Sequence, residues 1–226
     1  MDERDELLGR STERHLLETL VERAGEGRPA IAFVEGEAGI GKTRLLDELA
    51  RLVAEKGGLA IRGQAPPTSG EPLPFAAIAR LLRDLSGALD PVEAGALVDR
   101  SLGLGHLQPA WRSVPGASPP PTNAASLSED LVTVLESVAE TRPVLAVVLD
   151  DLQWADPGTL DLVSAVARAL RDARIVVCLA ARLEETAAES PLRRIRAELL
   201  RIGATAVALG PLPAEAADAI VERAAA

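Results

Sequence analysis

Tyrosine is missing from this 226-residue chain, and only four aromatic side chains occur: Phe33, Phe75, Trp111 and Trp154. An interior built on aromatic rings is excluded. Leu, Val, Ile and Ala must form the core, and a hydrophobic content of 47% supplies enough of them. Cysteine occurs once, at Cys178, so no internal disulfide can form, which fits a reducing compartment. No apolar run approaches the roughly 20 residues of a membrane-spanning helix. The charged start Met1-Asp2-Glu3-Arg4-Asp5-Glu6 lacks the apolar segment of a secretory signal. Positive charge is scarce as well. The net charge is −10 and the pI about 4.8, against the clustered basic surface that nucleic-acid phosphates or an anionic membrane require. These absences lead to the expectation of a cytoplasmic segment with no direct nucleic-acid contact and no membrane contact.

Lysine is nearly absent too, which makes one of its two positions stand out. Lys42 falls within Gly36-Glu37-Ala38-Gly39-Ile40-Gly41-Lys42-Thr43, a match to the phosphate-binding loop G-x-x-x-x-G-K-[ST]. The flanks agree: Ile31 to Val34 is a short apolar run suited to a buried strand. Leu45, Leu46 and Leu49 share one face of a helix that follows. Glycines let the backbone curl around phosphate without Cβ clashes. The curled N–H groups and the helix N-terminus together make an anion site. In this reading Lys42 places its ammonium on the β- and γ-phosphates, and Thr43 gives its hydroxyl to Mg²⁺. The bland alternative is a glycine-rich turn between a strand and a helix.

Helical and strand patterns alternate along the chain, which predicts an α/β sandwich with a mainly parallel five-stranded sheet and helices on both faces. Strands are expected at 31–35, 59–62, 144–149, 175–180 and 205–209. Helices are expected at 11–24 with Ser11 as N-cap, and at 42–55, 75–85, 92–102, 127–141, 157–170 and 192–200. A last helix opens at Pro213. Residues 64–74 read as a loop, and 105–125, rich in Pro, Ser and Ala, as a mobile surface excursion. The expected division is a core at 1–210 and a short C-terminal appendage at 211–226.

The apolar strand Val144 to Leu149 delivers Asp150 and Asp151 at its carboxyl end, where ligands of open α/β sheets sit. Asp150 would hold Mg²⁺ through water, since this hard cation takes oxygen ligands and keeps several waters. Asp151 would orient or deprotonate an attacking water. Alone, such a pair is equally an ordinary turn. Asp156-Pro157 reads as a helix start, with Asp156 as cap. Trp154 is read as packing rather than as a lid, and Cys178 as a small core residue. Arg182, after the fourth strand, is either a solvated loop residue or a reporter of the γ-phosphate.

A larger set of residues resembles a known family: Leu8-Gly9-Arg10 with Glu13, the loop Gly36 to Thr43, Leu149-Asp150-Asp151-Leu152-Gln153-Trp154-Ala155-Asp156, and Leu209-Gly210-Pro211-Leu212. It looks like the AAA-type ATPase domain of the STAND class of signalling NTPases. It is most similar to the N-terminal part of large ATP-binding LuxR-type transcriptional regulators of actinobacteria. The resemblance implies a P-loop NTPase fold with ATP or ADP and Mg²⁺ as ligands, the loop through Arg44 on the nucleotide, and Leu8, Gly9 and Arg10 near adenine and ribose. It also implies Lys42, Asp151 and Arg182 in catalysis, with Arg182 as sensor, and Thr43 and Asp150 on the metal. The family works as a slow switch, ADP-bound closed and ATP-bound open and self-associating. Its partners within the longer protein are a sensor region and a C-terminal helix-turn-helix. The family continues into a helical lid, of which 211–226 resembles only the start, so the lid is expected to be missing or truncated and the chain a fragment.

Overall fold

The computed structural model describes residues 7–108, 111 and 124–225. Five strands, β1 (Ala30–Glu35), β2 (Leu59–Gln64), β3 (Leu145–Asp150), β4 (Ile175–Ala181) and β5 (Thr205–Ala208), form one sheet in the order β2-β3-β4-β1-β5, with every pairing parallel. The helices are α1 (Ser11–Gly25), α2 (Lys42–Glu55), α3 (Ala76–Ala88), α4 (Pro91–Arg100), α5 (Ala124–Glu140), α6 (Pro157–Ala169), α7 (Pro191–Arg201) and α8 (Ala214–Ala225).

Each central strand serves two cores because successive side chains alternate between faces. Ala32 and Val34 of β1, Ala146 and Val148 of β3, and Val176, Cys178 and Ala180 of β4 face α1 and α2. Phe33, Leu145, Val147, Leu149, Ile175, Val177 and Leu179 face the other way, into the core shared with α3, α5, α6 and α7. The first face carries small residues and accepts two closely seated helices; the second carries the bulk. Both β3 and β4 are buried along their whole length, as interior strands of a parallel sheet should be. Burial pushes the Cys178 thiol up to about 12, so it is an inert core group, as expected.

Three boundaries differ from the sequence expectation in ways that matter. Arg10, not Ser11, occupies the N-cap of α1, and no side chain caps the helix there. Gln64 belongs to the end of β2 rather than to a loop, because its backbone continues the register opposite Asp150. The surface excursion expected at 105–125 begins inside the core: Gly105, within a 3₁₀ turn at Leu102–His106, and Gln108 and Trp111 beyond it are buried. The large apolar area of Trp111 outweighs the loop-like composition around it, and its Nε1 donates to Leu82 O at 3.1 Å. Residues 109, 110 and 112–123 lie outside the described residues.

Between α1 and α2 a buried carboxylate is bound from both sides. Glu48 accepts from Arg51 (Nη2, 2.6 Å; Nε, 2.9 Å) and from Arg14 Nε at 2.8 Å. The Arg51 hydrogen bonds, helped by Arg14, hold its carboxyl below the usual value of 4.5 despite burial. A depressed folded pKa means stability that is present above that ordinary value and is lost as pH falls through the folded one. Glu48→Gln should therefore cost about 1 kcal/mol at neutral pH. It should also flatten the decline in urea midpoint below about pH 4.5. A wild-type acid slope in the variant would contradict this role for Glu48.

Candidate nucleotide site

The first βα connection holds Gly36 to Gly41. At Gly36 an added Cβ would lie 2.8 Å from Leu209 O, so the start of the loop is pressed against the end of β5. Leu209 N donates to Glu35 O at 2.8 Å and holds that approach. Gly41, the N-cap of α2, has φ +103, a left-handed conformation that side chains disfavour, and no side chain caps the helix. Gly41 itself offers no side chain to the first turn of α2, and Glu37, Ala38 and Gly39 are exposed.

Lys42 is buried, and its Nζ donates to Gly36 O and Glu37 O, each at 2.7 Å. Burial and then the nearby Arg182 lower its pKa. Thr43 Oγ1 donates to Asp150 Oδ2 at 3.0 Å, joining the start of α2 to the end of β3 across 107 positions of sequence. The other Asp150 oxygen accepts from Asp151 N at 2.8 Å. Burial raises the Asp150 carboxyl; the Asp151 amide, Thr43 and Lys42 oppose the rise, while the Asp151 carboxylate adds to it.

Asp151 has φ +55 and ψ +36, which swings its carboxylate off the strand. Gln64 Nε2 donates to one oxygen and Gln153 Nε2 to the other, both at 2.8 Å. Arg182 Nη2 stands 3.6 Å from the same group. Gln153 Oε1 in turn accepts from Arg182 N at 3.0 Å, so this side chain links the ends of β3 and β4. Arg182 Nη1 donates to Glu185 at 2.9 Å, which raises the arginine's pKa, and its buried Nε has no partner among the described residues.

The structure thus brings Lys42, Thr43, Asp150, Asp151 and Arg182 to one edge of the sheet. Asp156 caps α6, accepting from Thr159 N at 3.0 Å, and also accepts from Phe75 N at 2.8 Å, which anchors the left-handed entry to α3. Trp154 packs against the larger core. Arg44 is exposed on α2. Gly9 and Arg10 lie beside Ile40 and the segment from Gly210 to Ala216, and Leu8 just before them is partly buried. Gln64 and Gln153 were not singled out from sequence. Gln153 sits inside the conspicuous acidic string, but nothing local marks Gln64.

A parallel sheet of this order with a glycine loop after β1 and two acids after β3 defines an AAA+ P-loop NTPase fold. A family model described as an AAA ATPase domain matches residues 6–179, and the chain belongs to that family. Among solved structures, it is similar to the Cdc6p protein of Pyrobaculum aerophilum (TM-score 0.58, 19% identity, 97% of this chain and 50% of that one). It is also similar to domain III of the Thermotoga maritima replication initiation protein DnaA (TM-score 0.50, 16% identity, 95% of this chain and 68% of that one). At these identities the likeness concerns the fold. A curated relative, the uncharacterized protein R02095 of Rhizobium meliloti (strain 1021), is 26% identical over 183 residues; the match covers 72% of this chain and 17% of that protein. The chain therefore spans about a sixth of that relative and half of the Cdc6p chain. Among the described residues no helix is long and apolar enough to cross a membrane.

Proposed function

We propose that this chain is the ATP-binding switch module of a larger signalling regulator, with slow Mg²⁺-dependent hydrolysis returning it to the ADP state. One observation carries the reading: Thr43 of the phosphate loop and Asp150 of β3 meet at 3.0 Å beside the buried Lys42. Two hard oxygens at that separation fit Mg²⁺, which takes one or two protein oxygens together with phosphates and water. When bound, the ion neutralises phosphate charge. The chain's own residues do the rest: Lys42 exchanges the carbonyls of Gly36 and Glu37 for phosphate oxygens, Asp151 orients water, and Arg182 reports the γ-phosphate. The resemblance to LuxR-type regulators supports a role in transcription control. In that role this segment would act on its sensor and helix-turn-helix partners and on other copies of itself, without touching DNA.

A saturating ligand at about a hundredfold over Kd stabilises a fold by about 2.7 kcal/mol. For a domain of this size that is a rise in Tm of about 5–10 °C. Mg-ATP should produce this rise in the wild type and none in Lys42→Ala. Equal shifts in both would remove Lys42 from the site.

A second reading, nucleotide-dependent association without turnover, draws on the state of Asp151. Both of its oxygens already accept hydrogen bonds, from Gln64 and Gln153. A water brought to Asp151 must compete with those two amides for the carboxylate oxygens.

A further inference from the structure

Arg10 lies outside the phosphate loop, yet its guanidinium joins three segments that are remote in sequence. Nη2 donates to Ile40 O at 3.1 Å and to Gly210 O at 2.6 Å, and Nη1 donates to Glu13 Oε1 at 3.0 Å. Arg10 is only 7% exposed. A guanidinium nitrogen of this kind has two hydrogens, so both are committed to the two carbonyls. Ile40 belongs to the phosphate loop; Gly210 follows β5 and precedes Pro211 and α8. Two carbonyls sharing one nitrogen cannot move apart by much more than about half an ångström without one bond failing.

The neighbouring residue seats α8. A Cβ on Gly9 would lie 2.5 Å from Ala216 Cβ and 3.3 Å from both Leu212 and Pro213, so the helix packs where Gly9 has no side chain. Little else buries α8: Ala214, Glu215, Ala217, Asp218, Ile220 and Val221 are exposed. An element with so few buried contacts belongs to the low-stability end of a fold, where small changes decide whether it is docked.

The peptide that Arg10 holds is also the peptide that the loop chemistry uses. The C=O of Ile40 and the N–H of Gly41 belong to one trans unit and point in opposite directions. An anion accepting from the Gly41 N–H would polarise that unit and strengthen the Arg10–Ile40 bond. We propose that Arg10 is a strut between the phosphate loop and the Gly210 hinge, so that an occupied loop docks α8 more firmly and an empty loop releases it. The proposal rests on the nucleotide reading above and names how the switch is transmitted. It also accounts for the Gly9-Arg10 pair as structural linkage in place of adenine contacts.

Hydrogen exchange across 212–225 tests it, with and without Mg-ATP at concentrations that saturate the thermal shift of each variant. Wild-type α8 amides should exchange about fivefold more slowly with nucleotide, the leverage of one hydrogen bond. In Arg10→Gln they should exchange fast in both states. Gly9→Ala keeps Arg10 but pushes α8 off, and should give the same fast, insensitive exchange; it carries the test if circular dichroism shows Arg10→Gln unfolded. Wild type that binds Mg-ATP with unchanged α8 exchange would overturn the strut. So would slowing retained in Arg10→Gln, or loss of all nucleotide binding in a folded Arg10→Gln, which would make Arg10 a ligand. If wild type shows no nucleotide shift, the switch reading fails by itself. In that event, α8 exchange in nucleotide-free Arg10→Gln equal to wild type would separately overturn the strut, and faster exchange would support its mechanical half.

Discussion

Phosphate release under saturating Mg-ATP is expected to fall by about 10²-fold or more in Asp151→Asn, the scale of a lost general base. Asparagine is the right probe because the position is left-handed, with φ +55, and asparagine tolerates that conformation. Its size is unchanged, so Asp150, one residue back, keeps its bond from Thr43. What changes is the chemistry: the new amide has one acceptor oxygen where the carboxylate had two. Either Gln64 or Gln153 must then face an NH₂ group, and the linkage from Gln153 to the Arg182 backbone is strained in the second case. Binding should persist, because the loop, Lys42 and Thr43 are untouched, and the Mg-ATP thermal shift checks this in the same sample. A wild-type rate already at background, unchanged in Asp151→Asn, would end the hydrolysis reading and leave association without turnover.

Much of this site is legible along the chain because its parts are local. The phosphate loop needs eight contiguous residues, and the paired acids follow a strand that is apolar throughout, so each announces itself by composition. The two-faced sheet is legible for the same reason: β3 and β4 are runs of apolar residues too short for helices and too unbroken for surface strands. The order of the strands is not. Periodicity identifies elements, but β4 stands between β1 and β3, and only the packed structure shows this. The contacts that tune the site are also hidden. Gln64 meets Asp151 across 87 positions, and Arg10 meets Gly210 across 200. A lone glutamine at a strand end has no sequence pattern that sets it apart from a solvated residue, and the Leu8-Gly9-Arg10 pattern, though visible, does not show that Arg10 meets Gly210. Arg182 is intermediate: its place after β4 suggested a function, while its pairing with Glu185 and its stand-off from Asp151 required coordinates.

Trp111 marks where composition misleads most, and it carries the largest expected effect on stability. The residues around it are Pro, Ser, Gly and Ala, the vocabulary of a surface loop, and the loop reading follows if composition is averaged over twenty positions. One indole changes the balance. Trp111 is 1% exposed and lies in the core with Leu82, Leu85, Leu104 and Leu131, and its own N–H donates to a carbonyl of α3. Truncating a fully buried tryptophan removes both its transfer free energy and the contacts of the cavity wall. Trp111→Ala should therefore cost about 3–5 kcal/mol, a fall in Tm of about 10 °C or more. Trp111→Phe keeps a six-membered ring but gives up the pyrrole part of the indole and its hydrogen bond to Leu82 O, so it should cost less, about 1–2 kcal/mol. Both variants lose the hydrogen bond, so the gap between them, read from urea midpoints at constant m, reports the packing of the six-membered ring. A Trp111→Ala protein within about 1 kcal/mol of wild type would put the indole outside the core, because a site that loses so large a buried side chain cannot collapse without cost.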